Sequence, residues 1–170
     1  PRRDIVSKEQ FEALASKLGL TPETEVLLYG DNNNWFAAWG AWIFKLYGHD
    51  NVKLVDGGRK KWELEKRPLD TTAPSITATK YTVKEVNGNV RARLPEVVAI
   101  AEGKEGATLV DIRSPDEYSG KIIAPPGIQE LAIRAGHVPG AINVPWKTSV
   151  NDADGTFKAS SRKFCLSRRI

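Results

Sequence analysis

The chain of 170 residues contains no methionine and one cysteine, Cys165. A lone thiol excludes an internal disulfide framework and predicts a reducing compartment, the cytoplasm. The lack of methionine predicts a chain that was processed or cut from something longer. No apolar run approaches the ~20 residues that a bilayer crossing needs, and Pro1-Arg-Arg-Asp4 is no secretory signal, so no membrane is expected as a partner. Surplus charge is small: the net value is +4, and Arg162, Lys163, Arg168 and Arg169 crowd the carboxyl end, leaving the rest nearly balanced. A stripe of clustered cations with stacking aromatics, which nucleic acid would require, is missing. The run Arg59-Lys60-Lys61 reads as a solvated helix face. Disorder is excluded too, because 41% hydrophobic and 27% charged residues suffice for one ordinary core or two incomplete ones.

What is present is organised around Ala107 to Trp146. This stretch opens with a short strand predicted to be fully buried, Thr108 to Val110, that ends at Asp111 and Arg113 and passes through Ser114-Pro115 into a helix. It closes with Gly136-His137-Val138-Pro139-Gly140, a preset turn leading into a second buried strand, Ala141 to Val144. Polar residues just past a strand's carboxyl end face the crevice where open α/β sheets bind ligands, so Asp111 and Arg113 are site candidates by position.

The same strand, loop and helix logic runs through the rest of the chain. Ser7 and Gln10 form a capping box, after which Phe11, Leu14, Ala15 and Leu18 repeat at helical spacing. A buried strand is predicted at Glu25 to Tyr29, then the polar loop Asp31-Asn32-Asn33-Asn34, then a helix from Trp35 to Tyr47. Asp31 could cap that helix, and Trp35, Trp39 and Trp42 are expected in a core or a domain interface. Val52 to Val55 is a further strand, and Arg59 to Glu65 a helix. Residues 70–79 have no apolar periodicity and read as a linker. Tyr81 to Val86 alternates as an edge strand would, and Leu94 to Glu102 is a helix with Val97, Val98 and Ala101 inward.

A strand ending in Asp111-x-Arg113-x-x-x-Glu117-Tyr118, followed by Gly136-His-Val-Pro-Gly-Ala-Ile-Asn-Val144, resembles the rhodanese family of thiosulfate sulfurtransferases, in particular its two-domain actinobacterial type. The likeness covers Asp4 to Lys158. It implies an α/β fold with a mainly parallel sheet flanked by helices, here incomplete or permuted. Residues 1–69 resemble the carboxyl-terminal half of a first, non-catalytic domain. Residues 70–79 would be the linker, 80–158 the amino-terminal half of a second domain, and 159–170 an unmatched tail. A back half followed by a front half predicts that the strands at Val26, Val52, Leu109 and Ile142 pair in one permuted sheet. The rival is two half-sheets with exposed edges.

By that resemblance the activity is transfer of a sulfane sulfur through a cysteine persulfide, from a small anionic donor such as thiosulfate to a thiophilic acceptor such as cyanide. No metal and no organic cofactor are implied. The family's thiolate sits in a loop of inward-pointing amides after an apolar strand. Asp31 stands at that position in the first half. Cys165 follows Ser160-Ser161-Arg162-Lys163-Phe164, which is not a buried strand, so it is expected to be a plain thiol beside basic neighbours. The chain is therefore expected to lack the catalytic cysteine and to be inactive by itself. The alternative is a non-catalytic module that binds a partner or an anion through the Asp31 loop. For Asp111 and Arg113 two readings stand, an ion pair tying strand to loop and a wall that binds the anionic substrate. His137 is expected to satisfy backbone groups in its turn, and Arg134 to face solvent or substrate.

Overall fold

The computed structural model describes residues 4–127 and 132–159. They fall into two compact units, residues 4–91 with Asp152–Thr156, and residues 92–127 and 132–151 with 157–159. The change of unit falls after Arg91, and residues 70–79 are exposed almost throughout.

Unit 1 begins with α1 (Lys8–Lys17), where Ser7 Oγ accepts from the Gln10 amide and the Gln10 side chain accepts from the Ser7 amide. β1 (Val26–Leu28) leads through the Asn32–Asn34 turn into α2 (Trp35–Leu46), then β2 (Val52–Leu54) and α3 (Gly58–Leu64). β1 and β2 pair in parallel, Val26 opposite Val52 and Leu28 opposite Leu54, and α2 packs against both strands. The crossover helix is what parallel pairing of neighbouring strands demands. Phe11, Ala15, Ile43, Leu46, Tyr47, Tyr81 and Val83 form the core. Phe11 sits at its centre, stacked on Tyr47 at 4.7 Å and edge-on to Phe44 and Tyr81 at 5.2 and 5.7 Å.

Several apolar positions expected inside are not. Leu14 and Leu18 of α1 are exposed, and so are Trp35 and Trp39; only Trp42 reaches the core, donating its indole N–H to Val90 O at 2.7 Å. Leu27 and Tyr29 are exposed as well, because a two-stranded sheet with one crossover helix has a face left over.

The alternating segment Tyr81 to Val86 is not a strand. It docks on α1, where the Tyr81 and Val83 amides donate to Ser16 Oγ (2.9 Å) and Glu12 Oε1 (2.8 Å). Side chains of a helix thus replace the ladder partner that alternation predicts. The buried ring of His49 ties this strap to the start of β1. A carbonyl can only accept, so Nε2–H donates to Thr24 O (2.9 Å) and Nδ1 accepts from the Tyr81 hydroxyl (2.9 Å).

Unit 2 holds α4 (Leu94–Ala101), β3 (Val110–Asp111), α5 (Pro115–Tyr118) and β4 (Ile142–Asn143). β3 and β4 also pair in parallel, Val110 opposite Ile142 and Asp111 opposite Asn143. Backbone bonds from Ile142 N to Leu109 O and from Trp146 N to Ile112 O carry the pairing past both ends. Neither strand is fully buried, since Val110 and Ile142 are about half exposed at 47% and 50%. On α4, Val97 and Ala101 are half-buried but Val98 is exposed.

The expectation of one permuted sheet fails. β1 with β2 and β3 with β4 are separate two-stranded sheets. Each pair joins strands close in sequence, whose loop-closure cost is lower than that of a pairing across the chain. The α/β, parallel character of the fold stands, in its incomplete form.

Candidate functional site

Two loops at strand ends carry the predicted site residues, one in each unit. In unit 2, β3 delivers Asp111 and Arg113 to the same spot, and they grip each other. Arg113 Nε reaches Asp111 Oδ1 at 3.0 Å and Nη2 reaches Oδ2 at 2.5 Å, while the Arg113 amide donates to Oδ1 at 2.9 Å. Arg113 Nη2 also donates to Gly136 O at 2.8 Å, binding the strand end to the Gly136–Gly140 turn. This is the brace geometry, a bidentate pair in which the carboxylate is largely covered and the guanidinium keeps 38% of its side chain exposed.

The turn itself is fixed from below. The His137 ring stacks on Tyr118 at 3.7 Å, its Nδ1–H donates to Tyr118 O at 2.8 Å, and the Tyr118 hydroxyl donates to Ala141 O at 2.7 Å. His137 therefore serves backbone groups, as its turn predicts. Arg134 is exposed. Asn143, which sequence reasoning assigned no role, donates from Nδ2 to both Asp111 O and Arg113 O at 3.0 Å and shapes the loop between them. A polar amide inside a short strand was the available signal, since asparagine is depleted in strands. Ser114 and Glu117 add a capping box that starts α5.

The Arg113 side chain and then its amide hold the Asp111 carboxyl below the usual carboxylate range, with His137 helping and burial opposing. A carboxyl depressed in the fold binds its proton less readily than it does in the unfolded chain, so its contribution is complete above the ordinary value of 3.8. That contribution disappears as the pH falls from there through the lower, folded value. Urea unfolding of unit 2 is expected to weaken with acid in this window, and Asp111→Asn is expected to flatten that part of the profile. An unchanged profile in the variant would contradict the brace.

In unit 1 the loop after β1 takes an uncommon course. Asn32, Asn33 and Asn34 all have positive φ, at 51°, 54° and 66°, which asparagine tolerates better than other non-glycine residues. Asn34 is buried and bridges the loop to β2, its Oδ1 accepting from the Gly30 amide (2.9 Å) and its Nδ2 donating to Val55 O (2.7 Å). Asp31 makes no capping bond to α2, contrary to expectation. It is exposed and faces Arg59 at 3.8 Å, while Arg59 is held mainly by Glu63 at 2.7 Å. The run Arg59-Lys60-Lys61 is thus more than a solvated face: Lys60 donates to Asp152 O, and Lys61 pairs with Glu65 and Asp154.

Chemically, unit 2 offers a strand end with a partly exposed guanidinium, and unit 1 offers a loop with a carboxylate at its start. Cys165 lies outside the described residues. Among those residues no group of three or more His, Cys, Asp or Glu side chains is placed to hold a metal, and no helix is long and apolar enough to cross a membrane.

One family model matches the chain. That model, described as a Rhodanese-like domain, matches residues 2–65 and 95–165, so the second match runs past Lys158. A protein of Mycolicibacterium smegmatis named "Putative thiosulfate sulfurtransferase" is 54% identical over 159 residues, covering 93% of this chain and 56% of that protein. One of the same name from Haloferax volcanii is 47% identical over 158 residues, covering 93% and 54%. The chain spans about half the length of these curated relatives. Among solved structures, the Tum1 protein of Saccharomyces cerevisiae superposes with a TM-score of 0.77 at 19% identity, over 95% of this chain and 56% of that one. YnjE superposes with a TM-score of 0.70 at 25% identity, over 95% and 40%.

Proposed function

The chain belongs to the rhodanese-like domain family, and from that premise we propose that it is part of a thiosulfate:acceptor sulfurtransferase, supplying scaffold but not the sulfur-carrying thiol. The observation that carries this reading is the likeness of about half or more in identity, along 93% of the chain, to proteins named as thiosulfate sulfurtransferases. In this reading residues 1–69 are the back half of a non-catalytic domain and 80–158 the front half of a catalytic one.

The reaction needs a thiolate that attacks the outer sulfur of thiosulfate. The S–S bond breaks, sulfite leaves with the bonding pair, and a persulfide remains for attack by cyanide, which departs as thiocyanate. Asp31 cannot take that part, because a carboxylate oxygen is a poor nucleophile toward sulfur, and here it faces Arg59. Arg113, braced by Asp111, would hold the wall of the anion pocket and turn its exposed edge to the donor. The thiol then comes from another stretch of the full-length polypeptide.

Thiocyanate formation from thiosulfate and cyanide tests this. The chain of 170 residues is expected to give no turnover above the uncatalysed rate, and Cys165→Ser to change nothing. Turnover that Cys165→Ser abolishes would overturn the proposal. A longer form of the protein that includes the family's cysteine loop is expected to be active, and its Arg113→Ala variant to lose donor affinity more than turnover.

A further inference from the structure

The loop at Asp31 has no sulfur chemistry to perform, yet it is held in three consecutive left-handed residues. Something in the fold uses that shape. The chain returns to unit 1 at Asp152–Thr156, a tight turn closed on itself by Asp154 Oδ1, which accepts from the Thr156 amide (3.0 Å) and hydroxyl (2.7 Å). Gly155 at its apex is buried, with φ +73°. A Cβ added there would lie 3.0 Å from Asn33 Oδ1 and 3.2 Å from Gly57 O, so the turn sits directly on the loop and on the start of α3. Two cations of α3 hold its flanks: Lys60 donates to Asp152 O, and Lys61 approaches Asp154 Oδ2 at 3.8 Å while also pairing with Glu65.

We propose that the Asn32–Asn34 loop and the amino-terminal turn of α3 form a seat for the Asp152–Thr156 turn, so that the interaction surface at the degenerate loop is committed to a segment of its own chain. The fit of Gly155 against Asn33 supplies the specificity. The lysines supply attraction, weak singly because they are partly exposed and screened by salt. This clasp does not depend on whether the full protein transfers sulfur.

A protease that cuts before aspartate reads the seat. Cleavage at Asp154 requires the turn to lift, whereas Asp70 lies in an exposed stretch and reports general access. When opening is fast, cleavage tracks the open population. Gly155→Ala is expected to raise the Asp154-to-Asp70 cleavage ratio by about tenfold, while Gly103→Ala, at φ +72° with nothing within 4 Å, leaves it unchanged. Adding Asn33→Gly to Gly155→Ala removes the opposing amide and is expected to restore part of the protection, since Gly57 O at 3.2 Å and the positive φ remain, a coupling that independent sites would lack. Should Gly155→Ala fail to fold, Lys60→Ala with Lys61→Ala is expected to raise the ratio in the same direction, and added salt to mimic it in the unaltered protein. An unchanged ratio in the lysine variant, or no rescue by Asn33→Gly, overturns the seat.

Discussion

Replacing Phe11 with alanine is expected to cost unit 1 about 3–5 kcal/mol, the range for removing a buried aromatic ring from a packed core. The ring is 3% exposed and touches Phe44, Tyr47 and Tyr81, so no neighbour can fill the space without leaving its own contacts. A domain of this size is stable by only about 5–15 kcal/mol, and the loss therefore shifts its unfolding midpoint far toward water. Urea unfolding followed by tryptophan emission reports chiefly on this unit, which holds Trp35, Trp39, Trp42 and Trp62. Leu14→Ala on the same helix is the comparison. That side chain is 51% exposed, and its removal is expected to cost less than about 1 kcal/mol. Equal losses in the two variants would mean that the core has been assigned to the wrong face of α1.

Asn34→Ala is expected to cost about 2–5 kcal/mol, although the substitution removes no apolar packing. Asn34 is 1% exposed and is the hydrogen-bond partner described for the Gly30 amide, which alanine leaves unpaired at about 1–3 kcal/mol, whereas Val55 O keeps the Gly58 amide at 2.9 Å. Alanine must also keep φ near +66°, adding about 1–2 kcal/mol. Asn32→Ala separates the two effects. It shares the left-handed backbone but is exposed, so only the conformational part remains. Circular-dichroism melts of both variants check this, and a small loss in Asn34→Ala would show that water takes over the bond to the Gly30 amide. Gly58 depends on the same arrangement, since a Cβ there would lie 2.3 Å from Asn34 Oδ1.

These residues also mark where sequence reasoning stops. The capping boxes at Ser7 and Ser114, the crossover α2 and the parallel strand pairs are legible because each depends on neighbours within a few positions or on a repeated pattern. Asn34 is not. Four polar residues in a row look like a solvated loop, and its burial arises only when Gly30, Val55 and Gly58 converge on it from three separate elements. Tyr81 and Val83 alternate as a strand does, yet their partners are Ser16 and Glu12 of a helix, which no periodicity in their own segment reveals. At the candidate site, the sequence locates Asp111 and Arg113 at a strand end but leaves open what they face. Folding answers with the Gly136 carbonyl, twenty-three positions away, and with Asn143 from the neighbouring strand.

By its residues alone, this protein is committed to an α/β plan, to the rhodanese-like family, and to a first loop that begins with a carboxylate. Those commitments follow from local chemistry, which side-chain type and spacing carry directly. Tertiary structure decided that the strands form two separate pairs, that Arg113 braces Asp111, and that the Asp31 loop lies beneath the Asp152–Thr156 turn. Such choices rest on which distant groups reach hydrogen-bonding distance once the chain has closed its loops, and one-dimensional order does not encode that distance.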